Sequence, residues 1–401
     1  MKVIVIGGGA AGFFAAINIA EKHPDYQVTI LEKSNKLLSK VKVSGGGRCN
    51  VTNARTKPSE LVPFYPRGNK KLHPLFKTFT TSDMVDWLNQ RGVETKAEDD
   101  QRMFPITDDS QTIIDCFLKE AKKHGVTIIQ NEALTKLEQQ NDRWLVHTKA
   151  TTYEAGKVIV ATGSSTATWK VLQELGLELT PLVPSLFTFN IKDPRLQDLQ
   201  GISFNQALVK VTGTKLEESG PLLITHWGLS GPAVLKLSSR GAYELADKNY
   251  RFDVIINFTG ALKPDEIRKH IQEYAEANPK RKVINYPLFE LPKRFWERMV
   301  DHCGIGAKTP FMELSKKHMN KLVEELGQGR YAVDGKSTFK EEFVTAGGIK
   351  LSEVDLSTFE CKRFPNLYLV GEVLDIDALT GGFNFQACWS AGWVVSETFE
   401  I

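Results

Sequence analysis

The chain has 401 residues, more than one ordinary core accommodates, so two or three domains are expected. Its composition is globular, 41% hydrophobic and 25% charged, with 51 basic against 48 acidic residues and a net charge of +3. That balance excludes a polyanion partner argued from bulk charge. Locally, "NPKRKVINYPLFELPKRFWER" (Asn278 to Arg298) and "SKKHMNK" (Ser315 to Lys321) are basic with aromatics between; such runs are usually solvated surface, and an RNA-binding face is the alternative.

In chain order, the first element is "KVIVI", a β-branched apolar run of the kind a buried parallel strand requires. Gly7, Gly9 and Gly12 follow in G-x-G-x-x-G spacing and open a helix over Ala10 to Glu21. Gln27 to Leu31 form a second strand that ends at Glu32. Gly7 permits a tight turn, Gly9 lets a pyrophosphate approach the backbone, and Gly12 lets helix and strand pack closely. The helix N-terminus, at Ala10 and Ala11, offers free N–H groups to phosphate. Glu32 stands 20 residues beyond Gly12 and is placed to accept from a ribose with free hydroxyls, which favours NAD or FAD over NADP.

Next comes "KVSGGGRCNVTN" (Lys42 to Asn53), with three consecutive glycines, an arginine and a cysteine. Gly45, Gly46 and Gly47 suit a backbone that approaches an anion or a ring, and Arg48 suits phosphate oxygens. A surface hairpin is the plain alternative. Cys49 is either a proton donor, its pKa lowered by Arg48 and Lys42 if they face it, or a small packing residue. In "QRMFPITDDS", Arg102 is suited to a substrate anion or a neighbouring carboxylate, and Asp108 and Asp109 to capping a helix that starts near Ser110.

Residues 126–161 hold the strand-like segments "VTIIQ", "EALTKLEQ", "RWLVHTK" and "KVIVATG", an antiparallel meander returning to a buried strand that ends at Ala161-Thr162-Gly163. The region 189–344 mixes strands ("QALVKVTG", "RFDVIINF") with charged helices ("KPDEIRKHIQEYAEA", "PFMELSKKHMNKLVEELG"). Within it, His226 of "THWGLSGP" is a candidate acid, base or hydrogen-bond donor, with a structural turn residue as the alternative. "CGIGAK" lacks a preceding strand and reads as a helix–loop turn. Near the C-terminus a strand over Leu367 to Val370 ends in Gly371-Glu372, and a Gly-Gly turn launches an apolar helix. The five cysteines contain no C-x-x-C pair and are odd in number, against a disulfide framework or a structural zinc site. No apolar run reaches ~18 residues and Met1 leads straight into the first strand, so a cytoplasmic protein is expected.

The strand ends and glycine turns together resemble flavoproteins of the glutathione-reductase type, with two dinucleotide-binding domains. Five ordered blocks narrow this. "KVSGGGRCNVTN", "QRMFPITDDS", "LLITHWGLSGPAVLKLS", "VTAGGI" and "GEVLDIDALTGGFNFQA" resemble those of the BaiN/RdsA-like NAD(P)/FAD-dependent oxidoreductases, across nearly the whole chain. The resemblance implies an α/β fold. It consists of a Rossmann-like FAD-binding domain with a small β-meander, split over 1–188 and 345–401, and an inserted α+β domain over 189–344. It implies FAD at the first glycine motif, contacted also by Lys33, Lys42, Ser44, Asn50, Ala133, Thr162, Gly163 and Asp375. Glu372 holds the ribityl chain, and Gly382, Phe383 and Asn384 open a helix aimed at the flavin. No second strand–G-x-G-x-x-G–helix exists, so NAD(P)H, if used, would dock transiently at the flavin face, with delivery by another donor as the alternative. One departure stands out: after "ATG" this chain reads "SSTATWKVLQELG" where the family carries a Pro- and Gly-rich segment. The implied reaction is reduction of an activated C=C bond in a small molecule. The alternatives are reduction of uridine to dihydrouridine in ribosomal RNA and a non-catalytic flavin-binding protein.

Overall fold

A computed structural model describes residues 1–337 and 344–400 and separates into two compact units, Met1–Val183 with Lys340–Ile401, and Pro184–Phe339.

The first unit is built on a seven-stranded sheet. Its parallel part runs Leu367–Leu369, Lys157–Val160, Lys2–Ile6, Gln27–Glu32, Thr127–Gln130 across the sheet. In chain order that is the doubly wound arrangement in which direction reverses beside the first strand. An antiparallel hairpin, Val354–Asp355 with Glu360–Cys361, extends the edge at Leu367–Leu369. Apolar side chains on both faces explain why the first strand is a continuous hydrophobic run: Val3, Ile4, Val5 and Ile6 are all buried, with the helix Ala10–Lys22 and the strand Thr152–Ala155 among their neighbours. The helix Ala10–Lys22 has ten buried residues in thirteen, so it is enclosed rather than amphipathic. Ser110–Lys123 and Phe383–Glu397 pack beside it. Phe14 sits at the centre of that layer, with ring centroids 5.0 Å from Trp87, 5.3 Å from Trp389 and 5.5 Å from Phe79.

The meander differs in one respect from its sequence-based outline. "VTIIQ" pairs in parallel with Gln27–Glu32 and forms the edge of the main sheet, with Ile128 and Ile129 half-buried. The meander is Leu134–Gln140, Arg143–Thr148 and Thr152–Ala155, and its last strand went unread in the sequence.

In the second unit the antiparallel order is Gly329–Asp334, Arg251–Asn257, Ser203–Val211, Glu217–Ile224, Gly228–Ser230, Thr188–Asn190, Lys336–Ser337. The first and last of these are separated in sequence by Gly335 alone. One bent strand therefore pairs with both edges, and the sheet closes on itself. Gly335 (φ +102°) makes the bend; its N–H donates to Tyr250 O (2.8 Å) and its carbonyl accepts from Asn190 N (3.1 Å). Helices Pro264–Ala277, Lys293–His302 and Lys316–Gln328 cover the sheet, with Phe258 packed 4.5 Å from Phe295 and 4.9 Å from Phe204. "CGIGAK" is the turn leaving Lys293–His302, with Gly304 at φ +75°.

Candidate functional site

The strands Lys2–Ile6 and Lys157–Val160 are neighbours that lead to opposite sides of the sheet order, so their C-terminal ends flank a crevice. Gly7 lies at that switch. A Cβ on Gly7 (φ +113°) would stand 2.5 Å from Ala161 O, and one on Gly12 2.0 Å from Gly7 O. A Cβ on Gly9 would meet nothing within 4 Å. Two of the three glycines are thus needed for packing, while Gly9 faces open space. The helix that begins at Ala10 has no side-chain cap and no acid in its first turn.

A second helix start shares this geometry. Phe383–Glu397 also lacks a side-chain cap and an acid in its first turn. The two helices run in the same direction. Ala11 Cβ and Cys388 Sγ stand 3.1 and 3.3 Å from a Cβ built on Gly371, Ala15 N is 3.1 Å from a Cβ on Gly392, and Lys22 Nζ donates to Ser396 Oγ (3.1 Å). Gly392 permits the close approach. Two positive helix ends therefore point to the same end of the unit, where anions or developing negative charge are stabilised.

Glu32 is buried at the end of its strand and accepts from Gly8 N (2.8 Å), Ser34 N (3.0 Å) and Ser34 Oγ (2.9 Å). Its backbone carbonyl accepts from Glu132 N (2.9 Å), which brings half-buried Ala133 to the same strand end. Lys33 is exposed. Beyond Lys157–Val160, Thr162 Oγ1 is buried with no hydrogen-bond partner. Glu372 accepts from Lys40 Nζ (2.5 Å) and Thr345 N (3.1 Å), and its Oε2 lies 3.6 Å from a Cβ built on Gly163. Asp375 accepts from Thr180 Oγ1 (3.1 Å), keeps Oδ1 buried without a partner, and has its pKa raised by burial. Lys40 and Thr180 carried no motif and Thr345 lay inside "VTAGGI" without being singled out, so only the fold reveals their roles. Open space at Gly9, two bare helix ends, a ribose-ready acid and two orphaned buried oxygens fit an FAD molecule.

"KVSGGGRCNVTN" is neither hairpin nor simple loop. Ser39–Val43 is a helical turn and Ser44–Gly47 a tighter one, with Gly45 and Gly46 in the left-handed region. A Cβ on Gly45 would lie 2.8 Å from Phe104 Cε1, whereas Gly46 and Gly47 face open space. The second half clamps the start of the C-terminal helix. Thr52 Oγ1 donates to Gln386 Oε1 (2.6 Å), Asn53 Nδ2 to Gly381 O (2.9 Å) and Trp389 Nε1 to Val51 O (2.8 Å). With its amide oriented to satisfy both neighbours, Asn50 accepts from Gly382 N and donates to Thr52 O, each at 2.9 Å. A Cβ on Gly382 would reach within 2.3 Å of Thr52 O. Asn384, the second residue of the helix, exchanges hydrogen bonds with both backbone groups of Ala378.

Two charged expectations change, those for Arg48 with Lys42 and for Asp108, while Arg102 meets neighbouring carboxylates, one of its two expected partners. Arg48 faces Glu98 (2.6 Å) and Asp108 (3.5 Å) and lies over the Phe104 ring (4.1 Å), and Lys42 donates to Gln111 (3.0 Å). Neither depresses the Cys49 pKa; burial pushes that thiol up to about 12, partly offset by a hydrogen bond with Ser44. Cys49 is fully buried at φ +63°. Asp108 does not cap a helix: Lys96 and then Arg48 hold its pKa down, while Asp109 caps through Gln111 N (2.8 Å). Arg102 pairs with Glu98 (2.8 Å) and Asp100 (2.7 Å).

His226 belongs to the second unit. It is exposed beside Trp227, at a turn closed by Thr225 N to Gly228 O (2.8 Å) and tied to the next strand by Ile191 N to Trp227 O (2.9 Å). All five cysteines are free. Among the described residues no cluster could hold a metal ion, and no helix is long and apolar enough to cross a membrane.

A family model described as "HI0933-like protein Rossmann domain" matches residues 1–398. The chain is 29% identical to the ribosomal RNA dihydrouridine synthase of Escherichia coli, over 98% of this chain and 96% of that one. It is 25% identical to the 3-dehydro-bile acid delta(4,6)-reductase of Clostridium scindens, over 98% and 97%. A 3-ketosteroid-delta4-(5alpha)-dehydrogenase structure from Rhodococcus jostii, solved with 4-androstene-3,17-dione, superposes with TM-score 0.51 at 14% identity, covering 98% and 97% of the two chains.

Proposed function

The chain belongs to the HI0933-like Rossmann family and is an FAD-dependent oxidoreductase, and from that premise we propose that it reduces an activated C=C bond in a small molecule, with NAD(P)H as electron donor. The observation that carries the reading is the full-length similarity to a bile acid reductase, whose substrate bond is a conjugated alkene. Bound FAD supplies the hydride. The bare N-terminus at Ala10 receives the pyrophosphate and Glu32 the adenosine ribose. The bare N-terminus at Phe383 stabilises negative charge where it develops. "NVTN" (Asn50 to Asn53) is the clamp that fixes this second helix.

Addition of hydride to one carbon requires a proton at the other. Of the three candidate residues, Cys49 is sealed and Arg102 is a guanidinium already paired with two carboxylates. His226 is the exposed one of the three, and we propose it as the proton donor. A second reading takes uridine in ribosomal RNA as the alkene, favoured by the 29% identity to the Escherichia coli enzyme. The chemistry is the same, because uracil C5=C6 is also conjugated to a carbonyl.

The test is spectroscopic. Purified protein should be yellow, and anaerobic mixing with NADH or NADPH should bleach the flavin. An enone steroid should then restore the oxidised spectrum. Bleaching by neither nucleotide removes the donor assignment, and no reoxidation by the enone transfers the case to RNA. A preparation that takes up no FAD on reconstitution sinks the whole reading.

A further inference from the structure

We infer that the second unit carries a docking surface for single-stranded RNA, formed by the turn Asn278–Tyr286 and the groove beside it; this rests on the RNA reading above. Two concavities of about 460 and 730 Å³ adjoin there, both lined by Pro279, which accepts from Met312 N (3.1 Å). Lys280, Arg281 and Lys282 line the first, and Arg268 and Lys316 the second, against one carboxylate, Glu276.

A chain whose overall charge is nearly balanced has thus gathered five cations in one hollow. Nearby Lys269 and Lys293 each have a helical carboxylate partner at 3.8 Å, Glu273 and Glu297. None of the five has an ion pair among the described residues. Like charges held together without counter-charge are unfavourable unless an external anion neutralises them, and the concave shape focuses their field.

Hydrogen bonds tie the turn to its neighbours. Phe311 N donates to Arg281 O (2.9 Å), Val283 N to Thr309 O (3.0 Å) and the buried Trp296 Nε1 to Val283 O (2.7 Å). Its uncharged groups decide which polyanion fits. The Tyr286 ring is exposed with the Arg281 guanidinium 4.6 Å above it, and the same arginine donates to Tyr274 OH (2.9 Å). Asn278 and Asn285 add amides beside it. A flat aromatic–arginine platform next to phosphate-binding cations and amide donor–acceptors is what unpaired bases require. A lipid surface or a phosphopeptide has no use for the platform.

The experiment uses the FAD-loaded full chain and a labelled, uridine-containing single-stranded RNA, followed by fluorescence anisotropy across a salt series. The triple variant Lys280→Glu/Arg281→Glu/Lys282→Glu should bind at least tenfold more weakly. It should also flatten the log–log salt slope by about two, at roughly 0.7 per lost phosphate contact. Tyr286→Ala should weaken binding roughly tenfold with an unchanged slope, as loss of one stacked base does. A control reversal of three exposed, unpaired lysines elsewhere, Lys149, Lys192 and Lys215, should have little effect. All variants alter exposed side chains, so flavin content and melting temperature confirm folding.

In a strain lacking this gene, ribosomal RNA dihydrouridine tests the underlying reading separately. If the modification is lost and the triple variant fails to restore it, surface and reading stand together. If it is lost and the triple variant restores it fully, the surface is overturned while the reading survives. An unchanged dihydrouridine level removes the reading and the inference with it. Equal binding of matched DNA with no effect of Tyr286→Ala reduces the hollow to a generic polyanion patch and also overturns the proposal.

Discussion

At Gly9 a methyl group would meet no atom within 4 Å, whereas at Gly12 it would land 2.0 Å from a carbonyl oxygen. Gly9 also has an ordinary extended backbone (φ −94°), so alanine fits it without strain. Gly9→Ala should therefore leave the melting temperature of the FAD-free protein within a few degrees of the parent but weaken FAD binding at least tenfold in a titration. Gly12→Ala should lower the melting temperature itself. Equal effects of the two would refute the division into a cofactor-facing and a packing glycine. Cys49 and His226 separate in the same way. Cys49 is sealed and its thiol stays protonated up to about pH 12, so its sulfur serves as volume. Cys49→Ala should cost about 1 kcal/mol of stability and leave kcat within about twofold. His226→Asn should lower kcat by roughly 10²-fold or more at unchanged flavin content. A reversed outcome, measured by stopped-flow reoxidation, would move the proton donor to Cys49. The glycine motif and Glu32 were legible in sequence because their spacing is local. The partners of Arg48 and Arg102 were not, since charge alone does not say which carboxylate a folded sheet brings near.

The two helices that present bare N-termini are held in parallel by one small residue. A Cβ on Gly392 would stand 3.1 Å from Ala15 N and 3.2 Å from Phe14 Cδ1. That is tight for alanine and too close for a branched side chain, which would push the C-terminal helix off the first one. Gly392→Val should cost roughly 1–3 kcal/mol and release FAD, because both helix ends move relative to each other. Urea unfolding with flavin fluorescence reads both effects; a variant that stays fully yellow and equally stable would show that the crossing has slack. Sequence pattern disclosed that both helices exist and start at glycines. It did not disclose that they lie side by side, since their contact joins residues almost 380 positions apart. The clamp of Thr52, Asn53 and Asn50 on Gly381, Gly382 and Gln386 was hidden for the same reason. Strand Thr152–Ala155 was missed because "TYEA" is too short and polar to stand out from a turn.

For the whole molecule, the decisive fact is that one unit is a single continuous segment and the other is split around it. Pro184–Phe339 has its own buried core, from Phe189 and Val209 to Leu326 and Val333. Its sheet closes through the strand bent at Gly335, so few backbone edges are left to pair elsewhere. The sequence hinted at an insertion through the separation of the flavin motifs, but closure depended on Thr188–Asn190 meeting Lys336–Ser337 across nearly 150 residues. A segment that satisfies its own sheet and core should fold alone. The excised fragment 184–339 is expected to be soluble and colourless, and to unfold in one cooperative step by circular dichroism and tryptophan fluorescence alike. Its Trp296 is buried and Trp227 exposed, so the fluorescence change reports the core around Trp296. Non-coincident transitions, or a fragment that aggregates without unfolding cooperatively, would mean that its stability depends on the split unit. Gly335→Val tests the closure directly: φ +102° is inaccessible to a branched residue at low cost, so the fragment should lose about 1–3 kcal/mol as the two edges separate.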